Sequence, residues 1–196
     1  FTLTISYAQP KEEVFKSGEW LKYRMHYGLI NAGYATVALE STTEKNKEAY
    51  HVIGRGWTTG VTKIFFKVKD NYQTWFYKDN LQPYHFRRRV DEGGHIISRD
   101  IYFDQEEKKA FVRDHRKKRE KTLTIDNVQD ILSSFYHLRN QDISNIKVGD
   151  ELELDMFLDY ETFGFKMKYL AEEVIKTKFG KIKRLKFRHS VQSGRI

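Results

Sequence analysis

The stretch "YGLINAGYATVALES", residues 27–41, decides the fold. An alternating apolar run ends at its start, another begins at its close, and "GLINAG" stands between. A dinucleotide fingerprint requires a tight strand-to-helix turn whose free amides face a pyrophosphate. Here Gly28 and Gly33 are five apart, the next segment "YATVALES" alternates as a strand does, and no Lys-Ser/Thr pair follows as in a P-loop. The glycines therefore mark a strand corner, a bulge or a close backbone approach rather than a phosphate cradle.

The same period of two extends outward in both directions. In "EWLKYRMHYGL", Leu21, Tyr23, Met25, Tyr27 and Leu29 share one face, while Trp20, Lys22, Arg24 and His26 share the other. Ala35, Val37 and Leu39 form the next apolar row. Further strands are expected in "YHVIGRG", "VKDNYQTWFY", "YHFRRRV", "HIISRDIYF" and "KAFVRDH", separated by "KDNLQP", "DEGG" and "DQEEK". Pro83 belongs at a strand entrance. "TTGVTKIFF" reads as a short helical turn, weakened by its β-branched residues and Gly60.

One helix stands out, "DNVQDILSSFYHLRN". The reading places Asp126 as its cap, Gln129 at the third helical position, and Val128, Ile131, Leu132 and Phe135 on its apolar stripe. After it, Leu152, Leu154, Met156 and Leu158 oppose Glu151, Glu153 and Asp155 along a strand. Phe165, Met167 and Tyr169 oppose Lys166 and Lys168 on the next, so an antiparallel pair would set acids beside lysines. A last strand is expected at "KIKRLKFRH". The whole predicts a mainly β protein: a strongly curved antiparallel sheet or incomplete β-barrel with one or two packed helices. Tyr23, Met25, Val37, Leu39, Leu154 and Met156 are expected inside.

Composition narrows the chemistry. The 196 residues suit one domain, read as a single β-rich unit over 15–196, with 1–14 a signal remnant or N-terminal extension and the C-terminal end truncated. Ser6-Tyr7-Ala8 has the small residues that signal peptidase accepts, so the stretch reads equally as the retained tail of an export signal and as a natural edge strand or tag remnant. The absence of cysteine removes disulfides, thiolate nucleophiles and thiolate metal sites, and says nothing of compartment. The net charge of +8 raises polyanions as partners. In "RRR", however, alternation sends Arg87 and Arg89 one way and Arg88 the other. The basic segments 105–121 and 176–189 read as solvated faces.

No catalytic signature emerges. The seven histidines stand at no metal-ligand spacing, although a His26–His51 meeting across strands is one arrangement to test. No serine sits in a nucleophile elbow. Asp100/Asp104 and Glu151/Glu153 read as solvated carboxylates rather than acid–base pairs. No catalytic residue, metal ligand or cofactor is assigned. The functional candidates are aromatics: Trp57, Trp75, Tyr77, Tyr84 and Phe86 read first as core filling, with the lining of an apolar pocket for a lipid-like or glycan ligand as the functional alternative.

The stretches "FKSGEWLKYRMHYGLINAGYATVALES", "GRGWTTG", "FFKVKDNYQTWF", "LQPYHFRRRVDEGG" and "YFD", in this order, together with "TKFGKIKRLKFRHSVQSGRI", resemble the bacterial exported family called domain of unknown function 3108. Gly18, Glu19, Gly33, Gly60, Asp70, Pro83 and Asp104 match its motif positions. The resemblance implies a periplasmic or otherwise exported, β-rich protein, and it transfers no catalytic residues. The expected role is a noncatalytic binding or envelope-associated protein with an apolar or amphipathic ligand or an envelope protein as partner. The alternatives are a nucleic-acid-binding module with a basic surface, and a hydrolase whose site is assembled from distant residues.

Overall fold

A computed structural model describes residues 14–27, 30–177 and 179–191. The export-signal reading at Ser6-Tyr7-Ala8 lies outside them, as do Gly28, Leu29 and the last five residues. Eight strands form one antiparallel sheet in strict chain order: β1 (Trp20–Tyr27), β2 (Ile30–Glu44), β3 (Lys47–Thr58), β4 (Lys69–Tyr77), β5 (Pro83–Glu92), β6 (His95–Asp104), β7 (Lys109–Asp114) and β8 (Arg119–Thr124). β1 and β8 are not neighbours, so the sheet is open rather than a closed barrel. A short helix, α1 (Gly60–Phe65), joins β3 to β4.

The second sheet runs β12-β11-β10-β9, with β9 (Val128–Gln129), β10 (Glu151–Leu158), β11 (Glu161–Thr177) and β12 (Gly180–Val191). Helix α2 (Ile131–Arg139) leads from β9 toward β10. The expected acid–lysine pairing is present: Glu151 faces Lys168 and Glu153 faces Lys166 across β10 and β11, with Lys166 Nζ 2.6 Å from Glu153 Oε1.

The quoted corner is a hairpin in which Tyr27 pairs with Ile30. Gly33 explains itself by packing. A Cβ there would lie 2.4 Å from the Trp57 carbonyl oxygen on β3, so only glycine lets the two backbones approach.

One face of the large sheet is covered. Leu39, Tyr50, Val52 and Phe76 pack with Phe15 of the N-terminal segment and Tyr136 of α2. Phe86, Ile101, Phe103 and Val112 pack with Val128 and Phe157 of the second sheet. The Phe103 and Phe157 rings meet edge to face at 5.8 Å. Burial of these apolar side chains is the main force holding the two sheets together. Glu19 ties the N-terminal segment to α2 through a bidentate ion pair with Arg139, 2.7 Å at each oxygen.

Three expectations need correction. Tyr23 and Met25 are each 44% exposed, because β1 is the edge strand and α2 packs on β4, β9 and β10. The helix begins later than predicted. Asp130, not Asp126, is the cap, accepting from the amides of Leu132 and Ser133 while its own amide donates to Ser133 Oγ. Val128 and Gln129 instead form β9, parallel to β10. His26 and His51 are not brought together either, since β2 lies between their strands and His26 pairs with Asn31.

Candidate functional site

Strand alternation leaves the other face of the eight-stranded sheet to solvent, and its sequence makes that face both aromatic and basic. His51, Trp75, His85 and Tyr102 occupy directly opposed positions on β3, β4, β5 and β6. Neighbouring strands lie about 4.8 Å apart, close to a ring-stacking distance, so these side chains stack in a cross-strand ladder. The centroids are 4.2, 4.4 and 4.5 Å apart, with planes within 5°, 8° and 7° of parallel. His51 Nε2 lies 3.0 Å from Gln73 Oε1. Burial lowers its pKa, the Gln73 contact only partly opposing this.

Beside the ladder sits Asp100, which the sequence reading took for a solvated carboxylate. Its side chain is only 4% exposed. Asp100 Oδ1 accepts from Arg87 Nε at 2.9 Å and lies 2.8 Å from His85 Nε2. Its Oδ2 accepts from Arg89 Nη2 at 2.5 Å and lies 2.7 Å from His115 Nε2. Burial by itself would raise the Asp100 pKa. Hydrogen bonds from His85, Arg89, Arg87 and His115 outweigh it and hold the carboxyl far below the usual carboxylate range. As expected, Arg88 points the opposite way, its Nη1 2.8 Å from Asp159 Oδ1 on the covered side.

Next to this cluster an open groove of about 540 Å³ crosses β3 to β6, walled by Trp57 and Ile96 and flanked by Arg55, Lys69, Arg89 and Asp91. Arg89 is held by Asp100. Arg55 and Lys69 make no ion pair among the described residues. A second hollow of about 560 Å³ lies between α2 and β10–β11, with His137, Asp126, Glu153, Asp155 and Lys166 in its lining. No hydrogen bond orients the His137 ring among the described residues, and Lys166 is held by Glu153. No group of three or more histidine and acidic side chains among the described residues is placed to hold a metal.

The five aromatics singled out from the sequence do not meet in one pocket. Trp57 lines the groove. Trp75 is stacked between His51 and His85, both ring faces covered. Tyr77 and Tyr84 pair with each other at 4.9 Å, and burial, aided by Glu44 and Tyr77, pushes Tyr84 up to about 12. Phe86 needs correction: it is fully buried in the core on the opposite face, since it alternates with His85 and Arg87. The sequence reading missed Arg55, Lys69 and Ile96. Each shows only as one residue of an alternating strand, and strand register is what brings them together.

A family profile described as "Protein of unknown function (DUF3108)" matches residues 22–196. No curated protein matches the chain. Among solved structures it is similar to the crystal structure of a β-barrel-like protein of the domain of unknown function DUF1849 from Brucella abortus. That similarity has 11% identity, covers 82% of this chain and 71% of that one, and gives a TM-score of 0.49.

Proposed function

This chain belongs to the family of proteins of unknown function DUF3108, and from the geometry of its solvent-facing sheet we propose a noncatalytic envelope protein that binds an anionic amphiphile. The observation that carries this reading is the groove at Trp57. Its apolar wall lies beside Arg55 and Lys69, two cations without an ion-pair partner among the described residues. Small-molecule sites span about 300–1,000 Å³ and combine apolar walls with a few placed polar groups. A ligand with an apolar body and an acidic head complements both features. Export rests on the family resemblance alone.

A nucleic-acid reading has one observation in its favour, the shared location of basic and aromatic residues. Its weakness is that the ladder rings cover one another, leaving His51, Trp75 and His85 few free faces for bases.

The test is a titration with a fluorescent monoacyl phospholipid bearing an acidic headgroup, kept below its micelle concentration. Saturable binding is expected. Arg55→Glu should weaken it roughly ten- to a hundredfold, as loss of a charge-assisted contact worth about 1.5–3 kcal/mol would. No saturable binding, or equal binding by the variant, would reject the reading. Salt-dependent binding of short single-stranded RNA in its place would favour the nucleic-acid alternative.

A further inference from the structure

The segment "GVTKIFFKVK", residues 60–69, carries three lysines and no acid. In it Ile64 is 81% exposed, Phe65 83% and Phe66 51%. Single exposed apolar residues are ordinary on protein surfaces. Three large consecutive ones are not.

The exposure does not come from a loose segment. Phe66 N–H donates to the Thr62 carbonyl at 2.8 Å, and Val68 N–H donates to Thr58 Oγ1 at 2.9 Å. The Gly93 amide, in the β5–β6 turn, donates to the Lys67 carbonyl at 2.8 Å. The Phe66 ring lies over Gly93 so closely that a Cβ there would be 2.9 Å from its edge. The finger is thus pinned at its base to β3 and to the β5–β6 turn, while Ile64 and Phe65 are held out into water.

We infer that the α1 finger is a membrane-docking element, with Ile64, Phe65 and Phe66 entering the surface of an anionic bilayer and Lys63, Lys67 and Lys69 meeting its headgroups. A six-residue helix cannot span a bilayer. It can seat apolar side chains at the boundary between headgroups and acyl chains, where flanking lysines add attraction to acidic lipid. The flanking charge selects this occupant. Lys63 and Lys67 bracket the apolar tip directly, and the protein carries a net charge of +8. The next acid along the chain is Asp70 on β4, and Asp91 and Glu92 close β5, where Glu92 bridges Val68 at the base of the finger. An apolar protein groove would satisfy the three apolar side chains, but would leave the lysines without a partner. The inference shares Lys69 with the groove, but its variants at Ile64 and Phe65 lie outside it, so either can fail alone.

The experiment is flotation with vesicles of phosphatidylcholine, with and without an equimolar share of phosphatidylglycerol. The wild type should float with the acidic vesicles and much less with the neutral ones. The double variant Ile64→Ser/Phe65→Ser should lose this binding by about tenfold or more. Both side chains lie in solvent, so its circular dichroism and thermal midpoint should match the wild type. Because the chain has no cysteine, Ile64→Cys accepts a single polarity-sensitive dye. Its emission should shift to the blue on acidic vesicles, whereas the same dye at Val148→Cys, a 70% exposed site, should not shift. Arg55→Glu should still float. Failure of the wild type to float, or undiminished flotation of the double variant, would overturn the inference. So would self-association that the double variant abolishes without any vesicle binding, because it would assign the tip to a second copy of the chain.

Discussion

Thr74 on β4 donates its hydroxyl to Asp130 at the start of α2, Oγ1 to Oδ2 at 2.5 Å, and neither residue has any solvent exposure. Asp130 thereby joins helix cap and sheet in one side chain. Asp130→Ala would remove the cap, costing about 1–2 kcal/mol, and leave the buried Thr74 hydroxyl only the long 3.5 Å contact to the His85 carbonyl, costing about 1 kcal/mol more. Burial raises the Asp130 pKa despite the bonds from Thr74 and the Ser133 and Leu132 amides. The neutral carboxyl therefore stabilises the fold at low pH, and this contribution is lost as pH rises through the folded-state pKa. Asp130→Asn, which retains a carbonyl for the amides, should cost far less than alanine and lack this dependence. Urea unfolding checks the order; equal losses for alanine and asparagine would contradict it.

Asp100 has the opposite sign. Its folded pKa lies below the unfolded value of about 3.9, so its stabilisation is present above that pH and lost as pH falls toward the folded value. Asp100→Asn should destabilise the protein at pH 7 by about 2–3 kcal/mol. The loss is smaller than for a fully enclosed pair because the side chains of Arg87 and Arg89 remain 37% and 34% exposed. The gap in thermal midpoint between wild type and variant should stay constant from neutral pH down to about pH 4. It should narrow as the pH is lowered further toward about 2. A gap that stays constant throughout would argue against the carboxylate as its source.

Gly33→Ala should cost about 1–3 kcal/mol, since the new methyl group would collide with the Trp57 carbonyl, a backbone atom fixed in the β2–β3 ladder. Gly56→Ala is the control. There the nearest atom to the added Cβ is Asp70 Cβ at 3.8 Å, an ordinary contact. Equal unfolding midpoints for the two variants would disprove the packing account of Gly33.

Period-two alternation made most strands of the large sheet readable and sent Arg88 away from Arg87 and Arg89 correctly. It missed β8, "REKTLT", where Leu123 is the sole apolar residue and pairing with β7 supplies the order instead. It placed the helix start four residues early because Asp126 and Asp130 both precede an apolar run. What separates them is the parallel pairing of Val128 and Gln129 with β10, a contact distant in sequence. The groove was illegible for the same reason. Trp57, Lys69 and Ile96 lie on three strands, and only register makes them neighbours.

The ion pair between Glu19 and Arg139 also has a consequence for how the chain is made. Every strand of the large sheet pairs with its neighbours in sequence, so each hairpin can close soon after it leaves the ribosome. The Glu19 contact spans 120 positions. Until α2 emerges, Leu39, Tyr50, Val52 and Phe76 have no Tyr136 against which to pack. The nascent meander thus presents a bare apolar face from the completion of Phe76 until Tyr136 is made 60 residues later, a natural place for a chaperone to hold it.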